Sequence, residues 1–131
     1  MIQTGGVRWL SALSADSNAA RVCRVSDYLQ VSTATETRDA GVRLAEGAVG
    51  ARLAASAQVI GPVTSMFWHH GEQGSGEEWQ VLLYTTTERY PQLERFVLDE
   101  HPWTNPQLSA VPIVQGSTEY LTWLSRSVED A

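Results

Sequence analysis

The sequence predicts an α+β fold: a four-stranded antiparallel sheet carrying two helices on one face, extended by a C-terminal helix. Two observations predict it. Segments dense in β-formers alternate with segments of helical apolar spacing in the order β-α-β-β-α-β-α, and only a glycine-rich stretch separates the second strand from the third. A length of 131 residues holds one such domain and no second.

Each element has a local reason. Residues 1–26 are rich in Ser, Ala, Asn and Gly, with Trp9, Leu10 and Leu13 as scattered apolar points, and are expected to form a poorly ordered extension to a domain spanning 27–131. Tyr28, Leu29 and Val31 among threonines and serine read as a strand to Ala34. Thr35 is the expected N-cap of a helix, with Glu36 and Asp39 in its first turn and Val42, Ala45 and Val49 as its inward stripe. That helix should stop near Gly50 to Leu53. Ala57 to Phe67 is β-rich, but Gly61-Pro62 interrupts it, and a proline that cannot donate to a ladder implies a bulge or an edge. Gly71 to Gly76 is the expected turn into a strand over Trp79 to Thr87, making a long hairpin.

Pro91 suits the first turn of a second helix, whose inward stripe is Tyr90, Leu93 and Val97 and which Pro102 ends. Leu108 to Gln115 is a fourth strand with an edge signal at Pro112. Ser117 caps a last helix with Tyr120, Leu121, Leu124 and Val128 on one face. Two βαβ halves split by a hairpin are the ferredoxin-like plan.

Composition excludes several chemistries. All nine basic residues are arginine, so Schiff-base, pyridoxal and P-loop lysine chemistry are unavailable. The formal charge of −6 disfavours nucleic acid and anionic membranes as partners. One cysteine, Cys23, permits no intramolecular disulfide, and no apolar run reaches the length of a membrane span, so a cytoplasmic location is expected. No Gly-x-Ser-x-Gly elbow or nucleophile-base-orienter trio is visible, which argues against an enzyme.

Four motifs in order resemble the CutA divalent-cation tolerance family. They are Arg52-Leu53-Ala54-Ala55-Ser56-Ala57 with Gly61-Pro62-Val63-Thr64-Ser65, then Glu88-Arg89-Tyr90-Pro91-Gln92-Leu93, then His101-Pro102 with Pro106, and last Glu119-Tyr120-Leu121 with Trp123-Leu124. The resemblance implies a ferredoxin-like subunit in a homotrimer whose long hairpin and edge strands pair across subunits, associated with the response to metal ions. Binding or scaffolding is then the expected role, with a copper or other divalent-cation module at His101 and a small-ligand sensor at inter-subunit clefts as alternatives.

Departures from the family pattern fall on its polar positions. Ser56 stands where the family usually has cysteine and Thr85 where it usually has lysine; Trp103, Thr104 and Gln107 replace a tyrosine and two glutamates. His101, Trp103, Ser56 and Thr85 are therefore the candidate ligand-binding residues, and His101 the candidate metal ligand. No cofactor is firmly implied, and any copper or zinc should bind weakly, because a thiolate and carboxylates are the donors that are missing.

The other eye-catching residues have plain readings. His101 before Pro102 fits a helix C-terminus as well as a site. His69 and His70, adjacent at a strand end, should point to opposite faces and not share an ion, and Glu77 and Glu78 should diverge likewise. Trp68, Trp79, Trp103 and Trp123 read as core or interface anchors. Cys23 has no assigned role.

Overall fold

The structure, a computed structural model, describes residues 26–129. The expected extension and Cys23 lie outside the described residues, apart from Ser26. The elements run β1 (Tyr28–Thr35), α1 (Arg38–Gly50), β2 (Ser56–His69), β3 (Glu72–Thr86), α2 (Tyr90–Glu100), β4 (Leu108–Pro112) and α3 (Thr118–Ser127). The sheet order is β2-β3-β1-β4 with every pairing antiparallel, so the α+β, ferredoxin-like plan with an added C-terminal helix holds.

Strand alternation sorts the two faces. Val31 pairs with Leu83 and Thr33 with Val81, and these residues turn toward α1 and α2. Val31, Val81, Leu83, Leu44, Ala48, Leu93 and Val97 form the core between sheet and helices. Burying such side chains contributes about 1.5–3 kcal/mol each before chain entropy is counted. Three buried threonines share this face and each donates its hydroxyl to a carbonyl. Thr33 reaches Gln107 at 2.6 Å, Thr35 reaches Thr37 at 2.9 Å and Thr85 reaches Leu53 at 2.7 Å. Each bond fastens a connecting segment to the sheet, so the polar groups are satisfied within an otherwise apolar layer.

The first helix corrects two expectations. Its N-cap is Thr37, whose side chain accepts from the Ala40 N–H, and not Thr35, which ends β1 and is buried. Its inward residues are Gly41, Leu44, Ala45 and Ala48, while Val49 is exposed. The face is set by close approach at Gly41, where a Cβ would sit 3.0 Å from the Thr35 hydroxyl and 3.2 Å from Val59 and Val81. Small residues on that stripe bring the helix onto the sheet, and this outweighs the larger valines.

The hairpin is tighter and longer than expected. The chain reverses at His70 and Gly71, not across 71–76, and pairing resumes at once with His69 opposite Glu72. The register shift falls between Ile60 and Val63, at the Gly61-Pro62 interruption, and that peptide bond is cis. β1 covers only Trp79–Thr86 of β3, so residues 63–69 and 72–78 project beyond the sheet as a two-stranded ribbon. Met66, Phe67 and Trp68 on it are exposed.

The second helix has the expected inward residues Leu93 and Val97, with Tyr90 packed against the core, and ends at His101. β4 stops at Pro112, short of Gln115; Pro112 sits opposite Leu29 at the sheet edge, where its missing N–H costs no ladder bond, and the Ile113 N–H makes one last bond to the Tyr28 carbonyl at 2.9 Å. Ser117 caps α3 as expected, and Leu124 and Val128 are buried, whereas Tyr120 is exposed. This helix lies against the sheet face opposite α1 and α2, where the Ser125 hydroxyl meets that of Tyr28 at 3.3 Å. No helix among the described residues is long and apolar enough to cross a membrane.

Candidate functional site

His101 follows the last turn of α2, its backbone N–H bonded to the Val97 carbonyl at 2.9 Å. Its ring is buried. Nε2 lies 2.6 Å from the Ala34 carbonyl, and Nδ1 accepts from the Trp103 N–H at 3.1 Å. Donation at one nitrogen and acceptance at the other assign the neutral tautomer protonated on Nε2. The imidazole thus pins the start of the 101–107 segment to the end of β1, and a metal at either nitrogen would have to displace one of these bonds. Trp103 packs beside it, ring centroids 5.0 Å apart. Pro106 is buried, and the Gln107 carbonyl takes the Thr33 hydroxyl, so the whole segment is tied to β1.

Ser56 and Thr85 lie at the other end of the sheet. Thr85 is opposite Leu29 on β1, while His101 bonds to Ala34, five residues along the same strand. At a rise of about 3.4 Å per residue the two ends are about 17 Å apart. Thr85 faces the core, whereas Ser56, opposite Tyr84, faces the other side of the sheet. Within the chain the four candidate residues form two separate sets, His101 with Trp103 at one end and Ser56 and Thr85 on opposite faces at the other.

A polar cleft of about 450 Å³ opens where the start of α2 meets the end of α3. The Arg89 guanidinium crosses it, donating from Nε at 2.9 Å and from Nη2 to the Val128 carbonyl, and from Nη1 to Gln92 Oε1 at 2.6 Å. Glu88, Ser125 and Glu129 complete its rim. Arg89 therefore caps the C-terminus of α3, satisfying a carbonyl that the helix leaves open. Sequence reasoning assigned it no role; a lone arginine in a helix-opening motif carries no signal for a carbonyl 39 residues away.

Two tyrosines have raised pKa values. Burial first, then the Glu94 carboxylate, pushes Tyr90 up to about 12. Burial and the neighbouring Tyr84 raise Tyr120. Neither provides a base near neutral pH. Among the described residues no group of three or more His, Cys, Asp and Glu side chains converges to hold a metal ion.

Comparison with known proteins places this geometry. The family model described as CutA1 divalent ion tolerance protein matches residues 29–127. The divalent-cation tolerance protein CutA of Thermus thermophilus is 38% identical over 81 residues, covering 62% of this chain and 79% of its own length. Its counterpart in Escherichia coli O139:H28 is 33% identical over 85 residues, 65% of this chain and 76% of that one. Among solved structures, the divalent cation tolerance protein Cut A1 from Thermus thermophilus superposes with a TM-score of 0.76 at 31% identity, covering 78% of this chain and 99% of that chain. CutA1 from the psychrotrophic Shewanella sp. SIB1 gives 0.77 at 28% identity, over 80% of this chain and 98% of that one. The match runs from β1 to the last turn of α3 and takes in every element described above; this chain belongs to the CutA1 divalent ion tolerance family.

Proposed function

We propose that this protein serves divalent-cation tolerance as a non-enzymatic homotrimer, built by pairing of sheet edges and ribbons between copies. The observation that carries the reading is the β2–β3 ribbon. A two-stranded ribbon is marginal by itself in water, and this one exposes Met66, Phe67 and Trp68 beyond the sheet that would support it. Among the described residues β2 and β4 are the outer strands of the sheet, and their free edges present backbone groups that a second copy can satisfy. Closed cyclic assembly buries both features at once. In this reading Ser56, which faces away from the core, is open to a second copy, whereas Thr85 and His101 are buried within their own chain, and copper or zinc is held weakly at His101, since its imidazole is committed to Ala34 and Trp103.

A small-ligand role has the Arg89 cleft in its favour, though its polar rim suits a charged metabolite better than an apolar one. The single cysteine fits a reducing, cytoplasmic location. Light scattering at micromolar concentration tests the assembly: a mass about three times the 14.4 kDa chain is expected, and a mass equal to one chain would overturn it.

A further inference from the structure

At the tip of the ribbon the chain turns through His70 with φ 52 and Gly71 with φ 80. Two successive left-handed residues between paired strands are the type I′ hairpin geometry, where asparagine and glycine are the common choices. Histidine is among the few other residues that adopt this region with some frequency. The consequence overturns the expectation for neighbouring strand residues. His69 ends β2, but His70 has left the strand, and its left-handed backbone swings the side chain round to meet that of His69. The ring centroids are 4.1 Å apart and the planes are inclined at 57°. Both residues are exposed.

Two imidazoles bound cis to one divalent ion, with metal–nitrogen bonds of about 2.0–2.1 Å at roughly a right angle, hold their centroids about 4.5 Å apart. The observed separation of 4.1 Å is within a few tenths of an ångström of that, a difference that rotamer adjustment of two exposed rings absorbs. Their inclination also keeps the rings from stacking flat against each other, which would leave no room for an ion between two nitrogens.

We infer that the hairpin tip is a binding site for a divalent transition metal, in which His69 and His70 supply adjacent imidazoles to one ion. Copper(II) suits it best among the divalent first-row metals, because imidazole pairs follow the general order of affinity that peaks at copper. Among the described residues no third protein ligand converges, so water fills the other positions, and binding should be weaker than that of a closed structural site. Glu72, directly across the ladder from His69, adds a favourable negative charge beside the ion. The site does not use His101, and although it sits at the tip of the ribbon invoked for assembly it is read by copper affinity and not by mass, so the tolerance reading and this one can fail separately.

The full chain with Cys23→Ser, which removes the competing thiol, is titrated with copper(II) near neutral pH by calorimetry, and the product is examined by electron paramagnetic resonance. One ion per chain and hyperfine coupling to two imidazole nitrogens are expected. His69→Gln and His70→Asn should each weaken binding at least tenfold, and the asparagine preserves the left-handed turn. Asp99→Asn, on the exposed face of α2, should leave the affinity within twofold. An unchanged affinity in the His69→Gln/His70→Asn double variant with a native circular dichroism spectrum would overturn the site, as would no binding up to about 1 mM.

Discussion

Replacing His101 with alanine should destabilise the protein by about 2–4 kcal/mol, and the structure shows where that comes from. The ring is only 7% exposed and forms two hydrogen bonds, at 2.6 Å to the Ala34 carbonyl and at 3.1 Å from the Trp103 N–H. Two such bonds contribute about 1–3 kcal/mol net, and the carbonyl left behind in a buried position costs roughly a further 1 kcal/mol. The Trp103 N–H is nearer the surface and can turn to water, which recovers part of its share. Lost packing against the Trp103 ring, 5.0 Å away, adds a smaller amount. Urea denaturation at fixed protein concentration measures the sum, with the slope compared to check that the unfolded state is unchanged. His101→Gln keeps a donor of similar reach and should cost less than alanine. A change below about 0.5 kcal/mol for His101→Ala would refute the structural role, and a large fall in copper affinity with unaltered stability would make His101 a ligand instead.

Further outcomes follow from other parts of the fold. Glutamate at Met66 and Trp68 together should shift the mass by light scattering toward one chain while the far-ultraviolet circular dichroism stays native, since both lie on the exposed ribbon and outside the core. Above pH 10 the protein should lose stability: the Tyr90 phenol has its pKa raised in the fold to about 12 from 10.0, by burial and then by Glu94, so the contribution present below pH 10 disappears as pH rises through about 12. Tyr90→Phe should lessen the fall in melting temperature over that interval. Deleting residues 1–25 should preserve the cooperative melt and the assembly, whereas deletion through Ser26 should lower the melting temperature. Ser26 bonds to the Ile113 carbonyl, the Tyr28 N–H and the Thr87 hydroxyl and so belongs to the domain.

Much of the fold is legible in the sequence because its signals are local. Pro91, Pro102 and Ser117 mark helix ends through properties of single residues, and the Gly61-Pro62 interruption marks where β2 loses register. The element order β-α-β-β-α-β-α and the four-stranded antiparallel sheet of the ferredoxin-like plan both hold. The quoted motifs, from Arg52-Leu53-Ala54-Ala55-Ser56-Ala57 to the Tyr120-Leu121 segment, identified the family that the comparison over residues 29–127 shows.

What the tertiary structure decided are choices between locally equivalent residues. Thr35 and Thr37 are the same residue type two positions apart, and burial of the first on the sheet leaves the second to cap α1. Val42 and Val49 are better apolar candidates than Gly41 and Ala48, yet the small residues face inward because they permit the helix to approach the sheet closely. His101 reads as a helix end or a ligand from sequence alike; only the positions of the Ala34 carbonyl and the Trp103 N–H commit its nitrogens. His69 and His70 would point apart in any regular strand, and they face each other only because the turn closes in two residues with the second histidine left-handed. In each case composition and spacing define which side chains are present, and contacts between residues far apart in the chain, or a single backbone dihedral, decide which of them meet.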